Sequence, residues 1–151
     1  VNTLQINRIV EEALVSRVID IGADPLSDVT REVAIPGETG RFDFSVDEIL
    51  IEVKSVTYEH GGVGYFPDAV STRATRHVRA LQRCREDGIR TILLFCASHS
   101  GVNKVMTADR IDPVYAAAVR DALEQGVEVV AFGCTVSPQE IAVTRSIPFA
   151  I

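Results

Sequence analysis

Asp43, Glu52 and Lys54 lie in two short runs, RFDFSV and ILIEVK, separated only by Asp47 and Glu48. Two carboxylates and an ammonium suit work on a phosphodiester. Hard cations such as magnesium take carboxylate oxygens and keep waters for chemistry, and a lysine can hold the attacking water or meet charge developing on a phosphate. Alternation along extended chain puts Phe42, Phe44 and Val46 on one face of the first run, and Ile49, Ile51 and Val53 on one face of the second. A two-residue hairpin at Asp47-Glu48 then pairs Val46 with Ile49, Phe44 with Ile51 and Phe42 with Val53, so that Asp43 stands across from Glu52 with Lys54 on the same face. Asp-Glu is a poor pair for so tight a turn, which leaves a wider loop as the alternative, but the shared apolar face requires the same parity. Carboxylates about 5 Å apart repel by roughly 3 kcal/mol at an effective dielectric of about 20, and a divalent cation would offset that directly. The competing reading is a solvated sheet face on which Lys54 pairs with acidic neighbours for little net energy. Against it, the chain has 13 Arg and only two Lys, Lys54 and Lys104, so a merely basic surface position would more often be Arg.

The elements that must hold these groups follow from periodicity and punctuation. Leu4 to Val18 reads as a helix with Ile6, Ile9, Val10, Ala13 and Leu14 on its apolar face. Val29 to Ile35 reads as a strand ended by the turn signal PGETG, and the two acidic strands follow. Ser55 to Pro67, containing GGVG, reads as a mobile loop, and a helix is expected from near Asp68 to just before Gly88. TILLFCA, Thr91 to Ala97, is continuously apolar and suits a central strand buried on both faces. Asp112 as N-cap, Pro113 at the first helical position and Gly126 just past the end bound another helix. VEVVAFGC and Ile141 to Ile147 supply two more strands. The expected order is helix, three antiparallel strands, helix, strand, helix and two strands, an α/β fold with helices packed on a mixed central sheet.

A length of 151 residues, 46 % apolar and 24 % charged, is ordinary for one globular domain, taken as 1–151. No apolar stretch is long enough to cross a bilayer, and the opening lacks the order of a signal peptide, so the cytoplasm is the expected address. Cys84, Cys96 and Cys134 form no C-x-x-C pair and read as buried thiols, and the three histidines lack zinc spacing. A net charge of -6 argues against broad electrostatic adhesion to nucleic acid. Yet six of the 15 basic side chains fall between Arg73 and Arg90, and Arg73, Arg76, Arg79 and Arg83 lie opposite or beside the apolar sector of their helix. Such a face is either solvated or set to hold phosphates beside the acidic pair. On the first helix Glu11 flanks the apolar stripe and Glu12 points away from it, which favours Glu11 as the one near the sheet.

IEVKSVT, GYFPDAVSTRATRHVRAL, IDPVYAAAVRDALEQGVEVVAF and the opening VNT with NR and VEEAL, in that order, resemble the sugar fermentation stimulation protein family over nearly the whole chain. The resemblance implies a restriction-endonuclease-like fold, with an αβββαβ core and a PD-(D/E)xK site at Asp43, Glu52 and Lys54. It implies Glu12 rather than Glu11 as the helix carboxylate, because the family places a carboxylate directly before Ala. It implies a magnesium or manganese ion on Asp43 and Glu52, and DNA as partner, with Arg73, Arg76 and His77 contacting phosphate. The family is also described as binding DNA without strong sequence preference, with a regulatory link to maltose metabolism, which offers a non-catalytic alternative. Members carry a further N-terminal OB-like domain, so a homo-oligomer or a partner chain in its place is also expected. The family's Gly after the helix arginine is Ala74 here, and its next basic residue is Arg76 rather than Lys.

Overall fold

The computed structural model describes residues 3–151, so the first two residues of the VNT motif lie outside the described part. Helix α1 spans Thr3–Val15 and buries Ile6, Ile9, Val10, Ala13 and Leu14, the predicted stripe. It stops short of Val18. Arg17 turns left-handed (φ 66°), and Ile19 N–H donates to Ala13 O to close the end.

Strands β1 (Val29–Ala34), β2 (Arg41–Val46) and β3 (Ile49–Val56) form the expected antiparallel trio. The β2–β3 hairpin is two residues long after all: Asp47 and Glu48 both take positive φ (52° and 65°), as a primed turn requires. Asp47 Oδ2 accepts from Asp24 N–H at 2.9 Å, which anchors a pair that local preference disfavours.

Between Val56 and the next long helix, the segment expected to be a mobile loop is instead a second hairpin, β4 (Tyr58–His60) and β5 (Val63–Phe66). Gly61 and Gly62, both at positive φ, make its turn. Helix α2 (Thr72–Glu86) follows, then β6 (Thr91–Ala97), β7 (Lys104–Thr107), α3 (Pro113–Glu124), β8 (Glu128–Val136), β9 (Ile141–Ile147) and β10 (Phe149–Ala150). The large sheet runs β1-β2-β3-β6-β8-β9, with β6 parallel to both β3 and β8 and all seven of its residues buried. The small sheet runs β10-β7-β5-β4.

Two apolar layers hold this together. The α1 stripe packs on Phe44, Val46, Ile49, Ile51 and Val53 from one side of the large sheet. From the other side Ala74, Val78 and Leu81 of α2 and Tyr115, Ala118 and Val119 of α3 pack with Leu50, Val56, Leu93 and Phe95. Cys84, Cys96 and Cys134 are free thiols buried in these layers, as their spacing suggested. One carboxylate ties the two helices of the second layer: Asp112 Oδ1 accepts from Tyr115 N–H (3.0 Å) as the N-cap of α3, and its Oδ2 accepts from Ser71 N–H (2.9 Å). Ser71 in turn caps α2 by accepting from Ala74 N–H at 3.0 Å. No described helix is long and apolar enough to cross a membrane.

Candidate active site

The β2–β3 ladder keeps the predicted register through Val46–Ile49 and Phe44–Ile51 and then ends. The expected Phe42–Val53 pair does not form. Asp43 Oδ2 takes the Val53 N–H at 2.7 Å, so a side chain replaces the next backbone acceptor and the two strands part. Strict alternation fails at the same point: Phe44 packs in the α1 layer but Phe42 in the opposite one, against the expectation that they share a face. Glu32 of β1, which lies between Arg31 (paired with Phe44) and Val33 (paired with Phe42), has φ 50°, a conformation costly for a residue with a Cβ.

This parting brings groups from both layers to one place. From the α1 side Asn7 Nδ2 donates to Asp43 Oδ1 at 2.9 Å. From the α2 side His77 Nδ1 donates to Glu52 Oε2 in a very short contact, and Lys54 Nζ lies 3.1 Å from the same oxygen. Glu52 is only 3 % exposed, whereas Lys54 and Asp43 are partly exposed, so the cluster meets solvent through those two. Burial alone raises the affinity of Asp43 for a proton, and the charge of Glu52 and a carboxyl–carboxyl hydrogen bond add to it, pushing Asp43 up to about 7. Glu52 moves the other way. Burial would raise it, but His77, Lys54 and the hydrogen bond from Asp43 outweigh burial and hold it below the usual carboxylate range. Below about pH 7 the pair thus keeps one proton, on Asp43.

Asp43 opens into a cleft of about 360 Å³ walled by Asn7, Arg8, Glu11, Arg31 and Glu32. Glu11, not Glu12, stands on that wall. Its carboxylate makes a two-bond pair with Arg31 (2.5 and 2.7 Å), while Glu12, one position on around the helix, is exposed outside the cleft. This is the orientation the helical wheel gave, whereas the resemblance implied Glu12. His77 also departs from expectation: it is buried against Glu52 and does not join the exposed arginine face. The basic run from Arg73 to Arg90 divides. Arg79 pairs with Asp121, Arg83 with Glu38 and the Pro36 carbonyl, Arg85 with Gly126 O, and Arg90 with Glu128. Arg73 and Arg76, near its start, are exposed and have no partner among the described residues.

Sequence reasoning missed Asn7, Arg8 and Tyr115. Asn7 sits one turn before Glu11 on the same helix edge, so the wheel that favoured Glu11 also pointed to it. Tyr115 carries no such signal. Its buried hydroxyl has no hydrogen-bond partner among the described residues, and burial, then the charges of Glu52 and Asp112, hold its proton well above the ordinary phenol range. Among the described residues no three His, Cys, Asp or Glu side chains are arranged so that all three could hold one metal ion. Asp43 and Glu52 do come together, with their proton affinities set apart by burial at Asp43 and by His77 and Lys54 at Glu52, and a hexacoordinate ion that keeps its waters needs no more protein ligands than that. The residues present therefore fit such an ion.

Residues 5–140 match the family model described as the sugar fermentation stimulation protein RE domain. The chain is 40 % identical over 96 % of its length to a sugar fermentation stimulation protein homolog of Pseudomonas savastanoi pv. phaseolicola, and 38 % identical over its full length to one of Pseudoalteromonas atlantica. It spans 63 % and 66 % of those two proteins, a little under two thirds. Among solved structures it superposes on Pyrococcus furiosus SfsA in complex with Ca2+, with a TM-score of 0.80 and 26 % identity, over 97 % of this chain and 62 % of that one. The αβββαβ order, the mixed sheet flanked by helices and these matches agree: the chain belongs to the sugar fermentation stimulation protein family.

Proposed function

We propose that the chain is a cytoplasmic DNA-binding domain with a metal-dependent phosphodiesterase site. One observation carries the reading: at the point where β2 and β3 part, Asp43, Glu52 and Lys54 share one polar cluster that reaches solvent through Asp43 and Lys54. Asp43 and Glu52 would hold magnesium or manganese, which when bound supplies a Lewis acid and an acidified water. The Pyrococcus furiosus relative was solved in complex with Ca2+, another hard oxygen-seeking ion, which supports a divalent cation in this family without locating it. Lys54 orients the attacking water and meets charge on the phosphate. His77 fixes the Glu52 carboxylate and keeps it ionised, and Asn7 does the same service for the orientation of Asp43. Arg73 and Arg76, and Arg8 on the cleft wall, hold the phosphate backbone by charge-assisted hydrogen bonds.

A DNA panel incubated with magnesium or manganese tests this. Wild type is expected to cleave, with Asp43→Ala and Lys54→Ala slower by at least about a hundredfold. Equal background rates in all three would remove the enzymatic reading.

A second reading has its own support. Glu52 already meets the Lys54 ammonium and the His77 imidazole, so the fold retains its buried charge without any ion, as a purely structural polar network does. The chain would then be a non-catalytic, largely sequence-nonspecific DNA-binding regulator linked to sugar metabolism. Binding that weakens steeply with salt, with no cleavage under any divalent metal, would favour it.

A further inference from the structure

A second cavity, about 440 Å³, opens beside the small sheet and takes no part in the chemistry above. Its walls are Tyr58 and His60 of β4, Tyr65 of β5, Met106 of β7 and the loop through Arg110. Tyr58 and Tyr65 are cross-strand partners whose ring centroids lie 5.6 Å apart at a 40° tilt, and Tyr58 is 45 % exposed on the outermost strand of that sheet. An exposed aromatic ring beside a cavity of ligand size is a stacking surface rather than a core element. The charges select the guest. Asp109 is engaged by Thr107 Oγ1 (2.6 Å) and by Arg120 (3.9 Å), whereas Arg110 and the His60 ring have no partner among the described residues. The free groups at the mouth are therefore π faces and a guanidinium, and the complementary ligand is planar, aromatic and anionic. Position narrows this further. Tyr58 follows Lys54 by four residues along the chain, so their Cα atoms lie no more than about 13 Å apart, within reach of a short stretch of one strand.

We propose that this cavity receives an unpaired nucleobase of the strand whose phosphate lies at Lys54, stacked on Tyr58 and Tyr65, with Arg110 on its phosphate. The inference rests on the nucleic-acid reading of the site and names its substrate class: single-stranded or locally unpaired DNA. Bases paired within a duplex hide their faces and would not enter.

The chain has three tyrosines and no tryptophan, and the third, Tyr115, is fully buried out of ligand reach, so the change in tyrosine emission on adding ligand reports on Tyr58 and Tyr65. The experiment titrates the 151-residue chain, without divalent cation, with an oligothymidylate of about ten nucleotides, an abasic strand of equal length, the matching duplex and thymidine monophosphate. The oligothymidylate is expected to quench emission and bind most tightly. Tyr58→Ala should weaken it about tenfold, Tyr58→Phe should restore it, and Arg110→Gln should weaken it while flattening its salt dependence. Abasic strand or duplex bound as tightly as oligothymidylate, monophosphate bound as tightly as the strand, or affinity unmoved in both Tyr58→Ala and Arg110→Gln would each overturn the assignment. Cleavage by wild type without base-dependent quenching would sink the cavity alone, and quenching without cleavage under any metal would sink the phosphodiesterase reading alone.

Discussion

Two carboxylate–cation clusters sit at opposite ends of the physical scale in this molecule. Glu128 of β8 pairs with Arg90 by two hydrogen bonds, 2.6 and 2.7 Å, with both side chains 41 % exposed. Glu52 of β3 pairs with His77 and Lys54 at 3 % exposure, with Asp43 pressed against it. The geometry at Glu128 is the better of the two, yet it matters less, because water already solvates those charges well and screens their attraction. At Glu52 water is excluded, so every partner decides whether the charge is tolerated at all. The comparison teaches that the shape of an ion pair says little, while its burial separates a solvated contact from a site whose protonation states have been set apart.

The largest effect that would sharpen this contrast is expected from His77→Ala. Removing the partner that holds Glu52 leaves a buried charge half-compensated beside a new cavity, and should cost about 3 kcal/mol in urea unfolding. A loss under about 1 kcal/mol would place Glu52 in a wetter setting than described. Next comes Asp43. Its proton affinity in the folded chain is raised to about 7 from an ordinary value of 3.8, so its contribution to stability is fully present below about pH 4 and is lost as pH rises through 7. Asp43→Asn cannot ionise. In EDTA it should therefore be more stable than wild type by about 2 kcal/mol at pH 8, with the difference closing towards pH 4; a gain that grows on acidification would reverse the assignment.

The same proton governs metal binding. An ion must displace it, so manganese measured by calorimetry should bind about tenfold more weakly at pH 6 than at pH 8. Affinity independent of pH across that range would mean that Asp43 is not a ligand. The smallest effect belongs to the surface pair: Glu128→Ala should cost less than about 1 kcal/mol, and the cost should fall in high salt. A loss as large as that of His77→Ala would break the comparison.

Much of the candidate site was legible before any coordinates. The alternation of RFDFSV and ILIEVK set the hairpin register at Val46–Ile49 and Phe44–Ile51, because a one-residue slip would expose three large apolar side chains. The stripe from Ile6 to Leu14, the buried run TILLFCA and the Asp112-Pro113 start of α3 were equally plain, since each rests on contacts or hydrogen bonds a few residues apart. The second hairpin escaped notice although Gly61-Gly62 is a turn signal. Its strands are only three and four residues long, too short for alternation to show, and they are stable only because β5 pairs with β7, some forty residues on.

By itself the sequence determined which residue types could do chemistry, the parity that puts Glu52 and Lys54 on one face, and the family. Tertiary structure alone decided that Asp43 reaches the cluster by taking the Val53 N–H rather than by facing Glu52 across an intact ladder, that His77 turns inward and that Glu11 rather than Glu12 meets the cleft. It also decided which arginines of α2 stay free. The reason is common to all four. Periodicity records the direction of a side chain relative to its own element, whereas burial, proton sharing and pairing depend on what another element, distant in sequence, brings against it.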